Sequence, residues 1–240
     1  MSLTINLDRM KLNKFIPTEL DILRKLIHAG IDPSQHQVAY RQGWLFLKAS
    51  GGNPAFKVGL LPWTNLIEDG YANFFAGIVY FHNNLTSYPF FCEISKGDFG
   101  VSFTGFRVSN SNLYFVDNGT TTSVNLGAVN AGETWLLLLG VWNDGGTKKV
   151  IYWAGKWDYE TDSCTEVGSN LTGIETTESA YFKECQFLEP DGTAFEGGVA
   201  GWVKQKRRSA GVDNIYVEIE RLMLQLRAHG LPRPQDVYPF

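Results

Sequence analysis

The sequence GETWLLLLGVWNDGGTKKVIYWAGKW, residues 132–157, decides the fold, because it combines the longest apolar run of this 240-residue chain with its clearest turn. Residues tolerant of positive φ follow the apolar run Trp135–Trp142 at Asn143–Gly146, and a β-rich composition resumes at Lys148–Trp153, which predicts a β-hairpin. The first strand is apolar at successive positions and so on both faces, as in a central strand between two covered layers. We therefore place this hairpin in the core of a β-sandwich.

Short β-like segments separated by Gly, Asn, Pro or Ser clusters predict an all-β, antiparallel sandwich. The predicted strands are Gln37–Arg41, Trp44–Ala49, Asn73–His82, Phe90–Ser95, Thr104–Ser109, Asn112–Asp117, Ser123–Leu126 and Ala180–Leu188. The polar segment Asp158–Gly173 is predicted to be turn-rich, and the basic run Lys204–Arg208 to be an exposed loop.

Helical signals occur near both ends of the chain. An amphipathic helix is predicted over Thr18–Ala29, with its apolar stripe docked on the sandwich or on another chain. Near the C-terminus, Ile215, Val217 and Ile219 alternate as in a strand, whereas Ile215, Ile219, Leu222, Met223 and Leu226 fit a helical face. We predict a strand over Val212–Val217 that leads into a helix over Glu218–His229.

The predicted organisation is an N-terminal helical segment at residues 1–36, a β-sandwich domain at 37–217 and a C-terminal helix and tail at 218–240. Three prolines lie close together at the end of the chain, and they predict that residues 231–240 form no regular structure. Such a tail is compatible with a docking arm or with a frayed end.

Composition and targeting signals narrow the function classes. A net charge of -4 and a pI near 5.6 argue against broad attraction to nucleic acid or to an anionic membrane surface. The three cysteines have wide spacing and no CxxC motif, so free thiols are expected. The N-terminus has neither an apolar h-region nor a small-residue cleavage site, and no apolar run approaches the roughly 20 residues of a membrane span. We expect synthesis in the cytoplasm.

Four short patterns together resemble concanavalin A-like (laminin-G-like) jelly rolls: Gly132-Glu133-Thr134-Trp135, the turn Asn143–Gly146, Trp153-Ala154-Gly155-Lys156, and Gly211-Val212-Asp213-Asn214-Ile215. The resemblance covers about residues 70–217 and implies a jelly-roll β-sandwich with a closing strand at Gly211–Ile215. It carries no catalytic motif. A small β-sandwich that has helical ends and is made without an export signal also resembles building blocks of bacteriophage particles, such as fibres, baseplate parts and capsid decoration proteins.

A candidate sugar site lies around the far end of the hairpin. Sugar rings are bound by flat aromatic faces beside short polar side chains. The residues with this chemistry are Asn143, Asp144, Trp153, Trp157, Asp158 and Tyr159. Trp157 follows Gly155 and is the one we expect to be exposed. The alternative interpretation is that these aromatic residues cap the end of the sandwich.

Catalytic and metal sites have weaker support in the sequence. Glycoside hydrolysis needs two facing carboxylates. Glu218 and Glu220 would share one face if residues 218–220 were a strand, but the apolar run that follows favours a core or interface edge. The four histidines lack ligand spacing, so no metal and no cofactor is predicted, although calcium at Asp158 and Asp162 stays open.

These observations predict a non-enzymatic virion structural protein, with a lectin-like β-sandwich that mediates assembly and contacts host-surface glycans. The expected partners are a second copy or other virion proteins, bound through the N-terminal helix and the C-terminal tail. A stand-alone carbohydrate-binding lectin and a polysaccharide-degrading enzyme of the same fold remain as alternatives.

Overall fold

A computed structural model describes residues 36–49, 61–62, 71–83, 87–95, 103–117, 122–144, 147–175, 184–186, 189–190, 196–208, 212–227 and 230–240. The predicted helix Thr18–Ala29 lies outside these residues. The strands run in chain order as β1 (His36–Arg41), β2 (Trp44–Ala49), β3 (Leu61–Pro62), β4 (Tyr71–Phe81), β5 (Ser87–Ser95), β6 (Phe103–Ser109), β7 (Asn112–Asp117), β8 (Thr122–Ala128), β9 (Thr134–Asp144), β10 (Thr147–Asp158), β11 (Ser163–Glu175), β12 (Glu184–Gln186), β13 (Glu189–Pro190) and β14 (Glu196–Arg208). Two helices follow, α1 (Val212–Arg227) and α2 (Pro234–Val237).

The strands form two antiparallel sheets, which confirms the predicted jelly-roll β-sandwich. The first sheet has the order β1-β2-β14-β4-β9-β10-β11, and the second has the order β3-β12-β5-β6-β7-β8, with β13 paired to β5. Phe115 of the second sheet stacks on Tyr152 of the first, with 4.0 Å between ring centroids. The sheets therefore pack face to face at this point.

The hairpin of β9 and β10 lies inside the first sheet, as predicted. Its register runs from Thr134 opposite Trp157 to Asp144 opposite Thr147. Every side chain from Trp135 to Leu139 is fully buried. Leu136 and Leu138 belong to a core cluster with Ile219 of α1, and their neighbours along the strand point to the other face. The first sheet is thus the middle of three layers.

The C-terminal region differs from its prediction. Residues 212–217 belong to helix α1 and not to a closing strand, so α1 crosses the predicted domain boundary at residues 217 and 218. Ile215, Ile219 and Leu222 are buried against the first sheet, whereas Val217 is 49% exposed. A strand over the same residues would bury Val217 together with Ile215 and Ile219, so the helical period prevails because it alone matches the face that the sheet covers.

Two other segments were predicted to be loops and are strands. The backbone of Lys204–Arg208 continues β14 and pairs with β4, where Arg208 lies opposite Tyr71. The polar segment after Asp158 contains β11, which lies at the edge of the first sheet and pairs with β10. An edge strand tolerates polar and half-exposed side chains, which explains why its composition resembles that of a loop.

The last residues fold back onto the sandwich. Residues 230–240, which we call the C-terminal arm, contain the short helix α2 despite their prolines, because Pro234 occupies the first turn, where a missing N–H costs nothing. The Trp44 indole N–H donates a 3.0 Å hydrogen bond to the Pro232 carbonyl. The arm is therefore a docked element. In the described part of the chain, no helix is long and apolar enough to span a membrane.

Candidate functional site

The six sequence-predicted site residues do not form one cluster. Asp144 lies opposite Thr147 at the turn end of the hairpin, while Trp157 and Asp158 end the same strand β10. At about 3.3 Å per residue the two ends are roughly 35 Å apart. Asn143 and Asp144 therefore do not join the aromatic residues, and the predicted proximity is wrong because a hairpin places its turn at the opposite end from its open ends.

Trp153 is a core residue. Its side chain is 3% exposed, and its indole N–H donates a 2.8 Å hydrogen bond to Glu166 Oε2. Gly155 makes room for the ring, because a Cβ added there would lie 2.4 Å from Trp153 Cη2. The Trp153 ring thus has no face free for a ligand.

Trp157 is also buried, so the prediction of an exposed ring is wrong. Its side chain is only 6% exposed. The Arg227 guanidinium of α1 lies 5.4 Å from the ring centroid, and Tyr159 meets the ring edge-on at 6.3 Å. The reason is tertiary: Trp157 shares the sheet face with Ile151 and Trp153, and α1 covers that face.

A row of polar and aromatic side chains crosses three strands beside Trp157. Tyr80 on β4 lies opposite Thr134 on β9, which lies opposite Trp157 on β10. Tyr159 follows β10 and packs against the same core cluster. We call Tyr80, Thr134, Trp157 and Tyr159 the arm site, because the C-terminal arm contacts Tyr80 and Tyr159 at its two ends.

Three buried polar atoms of the arm site lack hydrogen-bond partners among the described residues. They are Thr134 Oγ1, Trp157 Nε1 and the Tyr159 hydroxyl. Burial raises the pKa of Tyr159 to about 12, and the nearby Thr134 hydroxyl and Arg233 charge oppose that increase. A buried polar group without a partner costs about 1–3 kcal/mol. The Thr134 and Tyr159 hydroxyls lie close enough to interact with each other, and all three groups are able to bond to a hydroxylated molecule or to water.

Asp158 has a structural role. Its carboxylate accepts hydrogen bonds from the Glu160 backbone N–H and the Thr161 hydroxyl, each at 2.8 Å. The Glu160 N–H and the Thr161 hydroxyl hold the pKa of Asp158 below its usual value, although the side chain is exposed. Asp158 therefore shapes the turn that carries Tyr159. In the part of the chain that the structure describes, no group of three His, Cys, Asp or Glu side chains is placed to hold a metal ion.

A second polar cluster adjoins the arm site. The Tyr80 hydroxyl shares a 3.1 Å hydrogen bond with His82 Nδ1, and the His82 ring stacks on Tyr238 of the arm at 3.7 Å. The Tyr238 hydroxyl donates to Glu196 Oε1, which Lys48 Nζ also contacts at 3.0 Å. We call Tyr238, Glu196, Lys48 and His82 the latch.

The pKa values of the two clusters reflect burial and pairing. Burial raises the pKa of Tyr80 to about 12, helped by the Glu196 charge, and raises that of Tyr238 further. Burial alone would raise the pKa of Glu196, but hydrogen bonds from Tyr238 and Lys48 outweigh it and lower the value. At neutral pH, both phenols keep their protons and Glu196 is ionised.

The sequence interpretation missed Thr134, Tyr80 and the latch. Thr134 stands inside the quoted Gly132–Trp135 motif, but nothing local marks its hydroxyl as unpartnered. Tyr80 and Tyr238 are far from it in sequence and come together only through sheet pairing and the return of the arm. The one available signal was the aromatic content of the last residues, Tyr238 and Phe240.

The arm site has the chemistry for binding a hydroxylated molecule. The two hydroxyls can each donate and accept, and the indole N–H can donate. The rings of Trp157 and Tyr159 supply apolar surface next to these groups. This combination suits the C–H faces and hydroxyl edges of a sugar.

No protein-family model matches the sequence, and no curated protein matches it. Among solved structures, the chain is similar to a mutant of the GH43 protein BlXynB from Bacillus licheniformis, with 10% identity over 74% of this chain and a TM-score of 0.39. It is also similar to the alginate lyase AlgAT5 from polysaccharide lyase family 7, with 13% identity over 80% of this chain and 88% of that one and a TM-score of 0.46. A third is the catalytic domain of the glycoside hydrolase family 131 protein from Coprinopsis cinerea, with 17% identity over 67% of this chain and 70% of that one and a TM-score of 0.40. The chain spans 40% of the GH43 protein and 19% of a similar sialidase.

The prediction that the protein is not an enzyme is contradicted, although likenesses of this identity and TM-score assign no activity to this chain. Glycoside hydrolases and a polysaccharide lyase are among the solved structures to which the chain is similar. The prediction was based on the lack of a local carboxylate pair. That argument fails because a sandwich can assemble an acid and a base from strands that are distant in sequence.

Proposed function

We propose that this protein is a lectin-like β-sandwich that binds glycans at the arm site and works as a component of a virion. The observation that carries the glycan proposal is the group of three partnerless polar atoms beside the Trp157 and Tyr159 rings. A sugar hydroxyl accepts from an indole N–H and exchanges hydrogen bonds with the two protein hydroxyls. Binding would remove the unmet hydrogen bonds that the unliganded protein carries.

The glycan proposal is tested with hydroxyl deletions of nearly unchanged shape. Thr134→Val and Tyr159→Phe each remove one partnerless hydroxyl, so we expect retention on a glycan array to fall about tenfold or more, on the order of 1.5 kcal/mol per lost hydrogen bond. The melting temperature should stay level or rise, because an unmet buried polar group disappears.

Matched controls lie elsewhere in the same sheet. Thr147→Val changes a threonine at the far end of β10, and Tyr152→Phe changes a tyrosine that packs against the second sheet. Both should keep the glycan retention of the native protein. Equal retention by Thr134→Val and Thr147→Val would contradict a glycan site at Thr134.

The virion setting is supported by the resemblance of the sequence to particle building blocks, and assembly is proposed to use the N-terminal segment. Mass spectrometry of purified particles from a host that carries the gene tests this part. We expect peptides of this chain at an abundance near that of known particle proteins. Recovery only from the unassembled fraction would argue against a virion component.

A specific observation favours a second candidate function, which is glycan cleavage. The Tyr80 hydroxyl and His82 form a hydrogen-bonded pair beside the arm site, and such a pair can move a proton to or from a bound sugar. Incubation with a panel of polysaccharides would reveal new reducing ends or unsaturated sugars. We expect His82→Gln to abolish that release while retaining glycan binding; release at the native rate would remove the pair from consideration.

A further inference from the structure

The C-terminal arm lies across the arm site on several sides. The Arg233 guanidinium sits 5.7 Å from the Tyr159 ring centroid and donates a 3.2 Å hydrogen bond to the Tyr159 carbonyl. Gln235 donates a 2.8 Å hydrogen bond to the Gly132 carbonyl, two residues before Thr134. A ligand cannot reach the buried Thr134 hydroxyl while the arm is in this position.

The arm is attached by hydrogen bonds and by partly buried apolar side chains. The hydrogen bonds are those of Arg233 and Gln235, the Trp44 bond to the Pro232 carbonyl and the Tyr238 bond to Glu196, and the side chains of Leu231, Val237 and Tyr238 pack against the core cluster. Within the arm only Pro234 is fully buried. A terminal element whose side chains are mostly only partly buried opens at a lower free energy than the core.

Gly230 provides a suitable hinge for such an opening. Its φ of +63° is a left-handed conformation that glycine adopts freely, and a Cβ added there would meet nothing within 4 Å. The residue therefore has room to change its backbone angles. It connects the region of α1 to the arm.

Tyr238 makes the main contacts that hold the arm in its closed position. Its hydroxyl bonds to an ionised carboxylate that Lys48 also contacts, and hydrogen bonds to charged groups are the stronger kind. Its ring stacks on His82 and meets Phe46 and Tyr80 edge-on. The ring contacts position the hydroxyl, and the hydroxyl ties the arm to β14.

We propose that the C-terminal arm is a lid that must lift from the arm site before a glycan enters, with the Tyr238–Glu196 hydrogen bond holding it closed. This inference rests on the proposed glycan-binding function. The lid makes binding depend on the fraction of molecules in which the arm is open.

The test removes the latch hydroxyl and keeps the ring. In Tyr238→Phe we expect amide hydrogen exchange of residues 231–240 to become on the order of tenfold faster, because one hydrogen bond to a charged group is lost from the closed state. The association rate of the glycan that the native protein binds best on the array should rise by a similar factor. Tyr216→Phe is the matched control, since Tyr216 is 48% exposed on α1, and it should leave both rates unchanged.

Failure of the lid and failure of the glycan site give different results. If the native protein binds a glycan and Tyr238→Phe binds it at the same rate, the arm does not gate entry and the lid is overturned, while the loss of binding in Thr134→Val still supports the site. If neither the native protein nor Tyr238→Phe binds any glycan, the proposed function fails and the lid fails with it. Unchanged exchange of residues 231–240 in Tyr238→Phe would overturn the latch by itself.

Discussion

Glu196 shows how one carboxylate can connect three parts of the fold. It begins β14, pairs with Lys48 of β2 and accepts the hydrogen bond of Tyr238 from the arm. Its main-chain carbonyl also accepts from the His82 backbone N–H. The native structure therefore stabilises the ionised form of Glu196. Protonation of this carboxylate should first weaken the attachment of the arm.

The pH dependence of stability follows from the lowered pKa of Glu196. A carboxyl whose folded pKa lies below its unfolded value stabilises the fold at higher pH, and this contribution is lost as the pH falls through the folded value. The loss should occur below about pH 4.5, the ordinary value for this group. Both phenols keep their protons across this window.

The measurement is the melting temperature between neutral pH and pH 3 for the native protein and for Glu196→Gln. We expect the native protein to lose more stability on acidification than the variant, so that the two curves converge at low pH. Parallel curves would show that Glu196 does not couple the arm to pH. Glu160→Gln changes an exposed carboxyl in the turn after β10 and serves as the control.

Helix α1 has one buried face and one face that is exposed to solvent. Ile215, Ile219, Leu222 and Leu226 contact the first sheet, whereas Tyr216, Val217 and Leu224 are about half exposed. Leu222 and Leu224 are two residues apart and have the same side chain in different environments. They form a natural pair for measuring what the sheet contact contributes.

Leu222→Ala should destabilise the protein by about 2–5 kcal/mol, because it leaves a cavity between α1 and the sheet. Leu224→Ala should change stability by less than about 0.5 kcal/mol, because the side chain is already in water. Urea unfolding followed by fluorescence measures both values. Similar costs for the two variants would mean that α1 does not pack as described.

At the scale of the whole molecule, the first sheet depends on cover from both sides. The second sheet covers one face, and α1 with the C-terminal arm covers the other, where Trp44, Phe46, Ile78 and Leu138 are buried. If α1 and the C-terminal arm were removed, these side chains would form a wide apolar patch exposed to solvent. Patches above a few hundred Å² are rare on soluble monomers.

We therefore expect a chain that ends at Arg208 to aggregate or to remain unfolded. A chain that ends at Gly230 keeps α1 and should fold with a lower melting temperature, because it loses the contacts of the arm alone. Light scattering and circular dichroism distinguish these outcomes. A monomeric, folded chain ending at Arg208 would contradict the three-layer description.

The sequence by itself determined the sandwich and most of the strand positions. The Gly132–Trp157 hairpin, with a first strand apolar on both faces, predicted a middle layer because such a strand is stable only when both faces are covered. β2 and β7 have the predicted bounds, because each is rich in apolar residues and is flanked by turn residues. These signals are local, so they can be read from neighbouring residues.

Tertiary structure decided the C-terminal region and the site. The pattern from Ile215 to Leu226 fits both a strand and a helix, and only the sheet face beneath it selects the helix. Trp157 was expected to be exposed because its cover comes from Arg227 of α1, which is 70 residues away in sequence. The arm site joins residues of β4, β9 and β10 and the residue that follows β10, and such long-range contacts depend on pairing and packing that no local pattern encodes.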